Sequence, residues 1–226
     1  MSNLGHKYER GLGCIQNYTT ALECYTKASA QGFSHAMFNL GTYYQNGHGC
    51  DQDYTKAVGC YTKASAQGDS HAMFNLGTYY ENGWGCDQDY TKAVEWYTKA
   101  SAQGDSDAMF NLGRCYHKGL GCDQDYTTAF KWFTKASAQG DSGAMHNLGV
   151  CWMNGWGCDQ NQTTAFEWYK KSAQLGDKDA QDKLNSRMFS PNPAALGANG
   201  NEQSHTSKRR QPDSSTSTSD SDDDLL

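Results

Sequence analysis

The chain has no apolar run near the ~20 residues that a membrane span requires, and direct membrane insertion is not expected. Its first residues, MSNLGHKYERGLGC, contain neither an apolar stretch nor a cleavage site, so no signal peptide is read. The expected compartment is therefore the reducing cytoplasm. A formal net charge of -6 leaves no broad basic surface, which argues against nucleic acid as a partner. Chemistry-bearing motifs are missing too. There is no CxxC or paired-histidine spacing for a metal, no phosphate loop, no nucleotide fingerprint and no nucleophile–base–orienter set. The histidines are scattered, and His35 and His71 are equivalent positions in a repeat rather than one site. The expectation is a monomeric binding module with no cofactor, no metal and no catalytic residue.

Cysteine, by contrast, is plentiful. There are nine, and Cys14, Cys50, Cys86, Cys122 and Cys158 recur at one place in successive copies. Equivalent atoms in stacked helical layers lie roughly 10 Å apart, the spacing of packed helices. A disulfide needs Cα atoms within about 7 Å, so this row cannot pair along itself. The five are read as small buried residues beneath a loop, and all nine as free thiols.

The chain repeats itself. NGHGCDQDYTKAVGCY, NGWGCDQDYTKAVEWY, KGLGCDQDYTTAFKWF and NGWGCDQNQTTAFEWY follow one another at a period of 36, after a looser RGLGCIQNYTTALECY. Each copy carries two helical patterns. Over Ser34–Asn46, Ala36, Leu40 and Tyr44 form an apolar stripe, with Met37 and Gly41 beside them. A recurring mid-helix glycine at Gly41 signals a close crossing, since it costs up to ~1 kcal/mol relative to alanine. Gly47 stops this helix. Asp53 caps a second one, whose inner face is Ala57, Cys60, Tyr61 and Ala64, and Gly68 ends it. Asp69 and Ser70 open the next copy. One such hairpin cannot bury both faces, but a stack of them can.

The expected fold is all-α: a right-handed superhelical alpha-solenoid of stacked helix-turn-helix repeats. Residues 1–33 make a partial first repeat, followed by repeats at 34–69, 70–105, 106–141 and 142–177. A capping helix is expected at 178–189, where Ala180, Leu184 and Met188 keep the apolar spacing among polar neighbours. Residues 190–226 are polar, Ser/Thr-rich and acidic, and read as a disordered tail.

AMFNLGTYYENGWGCDQDYTKAVEWYTKASAQGD resembles the Sel-1-like repeat, a relative of the tetratricopeptide repeat, through Ala72, Leu76, Gly77, Tyr80, Gly83, Gly85, Asp89, Lys92, Ala93, Trp96, Tyr97, Ala100 and Gly104. The resemblance covers residues 1 to 189. Two departures stand out. Cysteine takes a place where the family often has valine, and Cys24 and Cys60 stand where later copies carry Trp96, Trp132 and Trp168. The resemblance implies an adaptor or scaffold that binds a partner protein or peptide on its concave face. Its runner-up implication is a regulatory subunit of an endoplasmic-reticulum-associated degradation or signalling complex. The third is a hydrolase of the kind credited to some cysteine-rich bacterial relatives, for which no motif is present here.

In related tetratricopeptide solenoids the first helices line the concave face. Carried over by position, this gives an asparagine row (Asn39, Asn75, Asn111, Asn147), a row of Phe38, Phe74, Phe110 and His146, and a row of Thr42, Thr78, Arg114 and Val150. The asparagines either bind a peptide backbone through donor and acceptor, or hold neighbouring layers together. The phenylalanines either take partner side chains or fill the core between layers. Arg114, His117 and Lys118 mark a local basic spot for an acidic group. In the tail, Ser207–Arg210 (SKRR) is a weak nuclear-import signal. Ser219 and Ser221, each followed by an aspartate three residues on, suit an acid-directed kinase.

Overall fold

The computed structural model describes residues 1–186, whose backbone forms eleven α-helices with no strand among the described residues. The first helices are α1 (Ser2–Arg10), α3 (Ser34–Asn46), α5 (Ser70–Asn82), α7 (Ser106–Lys118) and α9 (Ser142–Asn154). They alternate with the second helices α2 (Tyr18–Ala30), α4 (Tyr54–Ser65), α6 (Tyr90–Ala102), α8 (Tyr126–Ser137) and α10 (Gln162–Gln174), and α11 (Lys178–Asn185) closes the series. Each helix packs on its neighbours in sequence, which makes the molecule an all-α solenoid of two-helix layers. No described helix is long and apolar enough to cross a membrane.

Local chemistry starts and stops each helix. Asp53 and Asp89 accept hydrogen bonds from the backbone N–H of Lys56 (2.9 Å) and Lys92 (3.0 Å), and Asn17 and Asn161 cap α2 and α10 in the same way. Asp69, Asp105, Asp141 and Asp177 cap first helices. Two first helices lack such a cap: α1, which begins after Met1, and α3, where Phe33 stands in the aspartate's place.

The core runs between layers rather than inside one. Met37, Ala57, Tyr61, Ala64, Ala72, Leu76 and Tyr79 form one cluster that joins the second repeat to the third. Later layers repeat it around Tyr97 and around Phe133. A side chain of this size contributes about 1.5–3 kcal/mol when fully buried. The mid-helix glycine makes room for it: a Cβ on Gly41 would lie 2.7 Å from the Tyr61 ring, and Gly77, Gly113 and Gly149 meet Tyr97, Phe133 and Tyr169 alike.

The structure revises three expectations. In α3 the deepest tyrosine is Tyr43, at 1% exposure, while Tyr44 is half-buried between two layers. Tyr43 points at the preceding second helix and packs edge-on to Tyr25, 5.2 Å between centroids. The repeated cysteines are half-buried rather than buried. The thiols of Cys14, Cys50 and Cys86 donate to the carbonyl seven residues back, folding the loop onto the end of its first helix. The fully enclosed thiols are Cys115 and Cys151, which replace the inner tyrosine in the last two full layers; burial pushes both up to about 12 and leaves them poor nucleophiles. None of the nine cysteines is in a disulfide. Finally, α11 ends at Asn185, with Ala180 buried and Leu184 half-buried. Met188, Phe189 and the tail, including Ser207–Arg210, Ser219 and Ser221, lie outside the described residues.

The Tyr43 hydroxyl is buried with no hydrogen-bond partner among the described residues. An enclosed orphan hydroxyl costs about 1–3 kcal/mol. Tyr43→Phe is therefore expected to leave stability unchanged or raise it by ~1 kcal/mol in urea unfolding. A loss of that size would mean that the hydroxyl is satisfied by bound water.

Candidate partner-binding face

Along α3, α5 and α7, positions 38, 39, 42 and 45 and their equivalents are half-buried, His117 excepted, and are flanked by the fully enclosed stripe. Asn39, Asn75 and Asn111 keep this half-buried place, but Asn147 is 1% exposed and offers nothing to an outside partner. Its neighbours in the layer, His146, Val150 and Met153, are enclosed as well, so the polar face fades in the fifth repeat.

The phenylalanines lean inward. Phe38 lies 5.8 Å from the Tyr61 ring and 6.0 Å from His71 in the next layer. Phe74 and Phe110 approach Tyr97 and Phe133 at 6.0 and 6.1 Å. They seal the seam between layers and present only part of each ring. Thr42 and Thr78 donate to the carbonyls of Phe38 and Phe74 at 3.3 Å, and their hydroxyls sit 3.4 Å from those of Tyr61 and Tyr97.

The core tyrosines end in this face, a feature not anticipated from the sequence. Tyr25 donates to Glu9 (2.7 Å), Tyr61 to Gln45 (2.7 Å) and Tyr97 to Glu81 (2.6 Å). Burial pushes the Tyr61 phenol up, while hydrogen bonds with Thr42 and Asn75 pull it back. The one sequence signal was a paired change in the fourth copy, where Phe133 loses the hydroxyl and His117 replaces the acceptor.

The expected basic spot does not assemble. Arg114 Nη2 lies 3.3 Å from Glu81, and its Nη1 donates to Asn111 Oδ1 at 2.8 Å, so its charge is spent inside the fold. His117 is 1% exposed and packs against Tyr126 and Trp156 at 5.0 and 4.8 Å. Lys118 alone of the three is exposed. What results is a shallow polar face running through layers two to four, with one half-buried asparagine amide per layer and a fixed Tyr–Thr–Glu–Arg floor. No cluster of three or more metal-ligating side chains occurs among the described residues.

Comparison with known proteins accounts for this architecture. The Sel1 repeat family matches at residues 1–33, 34–69, 70–105, 106–141 and 142–177. The structure described as a protective antigen present in uropathogenic Escherichia coli strains, with an SLR fold, superposes with a TM-score of 0.79 at 32% identity. That match covers 81% of this chain but only 39% of the Escherichia coli protein. A Sel1 repeat protein from Oxalobacter formigenes superposes with a TM-score of 0.76 at 31% identity, covering 81% of this chain and 75% of the other. No curated protein matches the chain. Five consecutive family repeats, carried on the stacked helical pairs described above, show that the chain belongs to the Sel1 repeat family.

Proposed function

We propose that this chain is a protein–protein interaction scaffold that holds a partner protein or extended peptide along its first-helix face. Sel1 repeat proteins are generally interaction scaffolds and typically non-enzymatic, which supports the class. The observation that carries the finer reading is the row Asn39, Asn75 and Asn111, whose half-buried amides recur once per layer. Layers roughly 10 Å apart match three residues of an extended peptide in the polyproline II conformation, which rises about 3.1 Å per residue and repeats its orientation every third one. One amide per layer can then meet the same backbone group at every third residue. Thr42, Thr78, Phe38, Phe74 and Phe110 flank that track, and Arg114 fixes Asn111 within it.

The test is a partner captured by the full chain from cell extract and titrated by calorimetry. Asn75→Ala with Asn111→Ala removes two hydrogen bonds worth about 0.5–1.5 kcal/mol each. Affinity is expected to fall roughly 5- to 150-fold, with little change in Tm. Lys92→Ala and Lys99→Ala, on the second helix, are the controls and should bind normally. Unchanged affinity in the double variant refutes the ladder. A large fall in Tm instead makes the asparagines structural.

A further inference from the structure

We propose that the outer face of α8 is a docking site for the acidic, leucine-ended segment of this same chain, residues 219–226 (SDSDDDLL). The fourth repeat breaks pattern here. Lys131 stands where the other copies carry Glu23, Gly59, Glu95 and Glu167. In α6 and α10 those glutamates sit one turn before Lys99 and Lys171, at a spacing that suits opposite charges, whereas α8, like α4, contains no acidic residue and alone has a lysine at that position. Asp125, at its start, is occupied as the cap, accepting from Thr127 and Thr128 at 2.6–3.1 Å. Lys131 and Lys135 lie exposed on one helix face, with the capping Asp125 carboxylate near Lys131.

That face is also grooved. A shallow cavity of about 410 Å³ is lined by Thr128, Phe130, Lys131, Trp132, Thr134 and Lys135, with mostly apolar walls. The Lys135 ammonium is held 3.9 Å over the Trp132 ring. Two cations beside an apolar wall call for a ligand with carboxylates next to aliphatic side chains. Residues 219–226 have that composition: Asp220, Asp222, Asp223 and Asp224 run directly into Leu225 and Leu226. Phosphate on Ser219 or Ser221 would add charge of the same sign to it. The connection is long enough. Residues 187–218 number 32, and a coil of that length spans about 30 Å on average. α8 lies about two layers, roughly 20 Å, before α11. A tether whose mean span matches its gap gives the highest effective concentration.

The experiment measures the acetylation rate of each lysine by mass spectrometry in the full chain and in two tail variants. One carries Asp222→Asn, Asp223→Asn and Asp224→Asn; the other carries Leu225→Ala and Leu226→Ala. In the unaltered chain Lys131 and Lys135 are expected to react about threefold more slowly than in either variant, with Lys27 and Lys63 unchanged. The slowing should persist on dilution. Equal rates in all three chains overturn the proposal. So does equal slowing at every lysine, which would be unspecific attraction. Protection that disappears on dilution assigns the site to the tail of a second copy and also overturns it.

Discussion

Gly85→Ala is expected to lose about 2–5 kcal/mol of stability in chemical denaturation, the sum of left-handed backbone strain and overpacking. Gly85 has φ +66°, and a Cβ there would press on the Tyr54 carbonyl and the Thr55 N–H, in the first turn of the preceding layer's second helix. Backbone on backbone leaves no rotamer by which to yield. Gly49, Gly121 and Gly157 meet the equivalent backbone one layer away, so this contact is the joint that fixes each loop to the layer before it. Gly104→Ala separates the two causes. Gly104 has φ +90° with nothing within 4 Å of its Cβ position, so its replacement should cost only about 1–2 kcal/mol. Equal losses in the two variants would mean that the loop slides and the joint is not rigid. A larger loss at Gly85 would weaken one interface, in keeping with solenoid stability as a sum over neighbours.

Glu81→Ala should be the most damaging change on the candidate face, at about 2–4 kcal/mol. The Glu81 carboxylate accepts from Tyr97 at 2.6 Å and pairs with Arg114 at 3.3 Å, with side-chain exposures of 14% for the glutamate and 24% for the arginine. Burial and then the neighbouring carboxylate push the Tyr97 phenol well above its ordinary range, so it stays a hydrogen-bond donor. Removing the acceptor leaves that hydroxyl only its long 3.4 Å contact with Thr78, and leaves a guanidinium whose Nε is already buried without a partner among the described residues. Glu81→Gln copies Gln45, which serves Tyr61 in the layer before, and should lose about 1 kcal/mol or less. Arg114→Met made in the Glu81→Ala background should recover part of the loss, because the unpaired charge is then gone. A Glu81→Ala stability within ~0.5 kcal/mol of the unaltered chain would refute the network, being the range of an ordinary surface change.

The sequence by itself determined the layers. A period of 36, apolar spacing of three and four, and a capping Asp or Asn before nearly every helix set the hairpins; the helix expected over Ser34–Asn46 is the helix found. Even the close crossing at Gly41 was legible, since a glycine in mid-helix has to be explained by what lies against it. These are local properties, written within a dozen residues, and each copy states them again. Tertiary structure decided everything that depends on the neighbouring layer. Tyr43 and Tyr44 differ by one position, about 100° around the helix, and only the placement of the preceding second helix selects Tyr43 for the core. Asn75 and Asn147 sit in the same NLG triplet, yet one is half-buried and the other enclosed, because the residues stacked around them differ. Arg114 reads as a surface cation until the fold brings Glu81, 33 residues earlier, to within 3.3 Å of it. A repeat specifies its own helices, but burial and pairing are properties of two repeats in contact, and no single copy contains them.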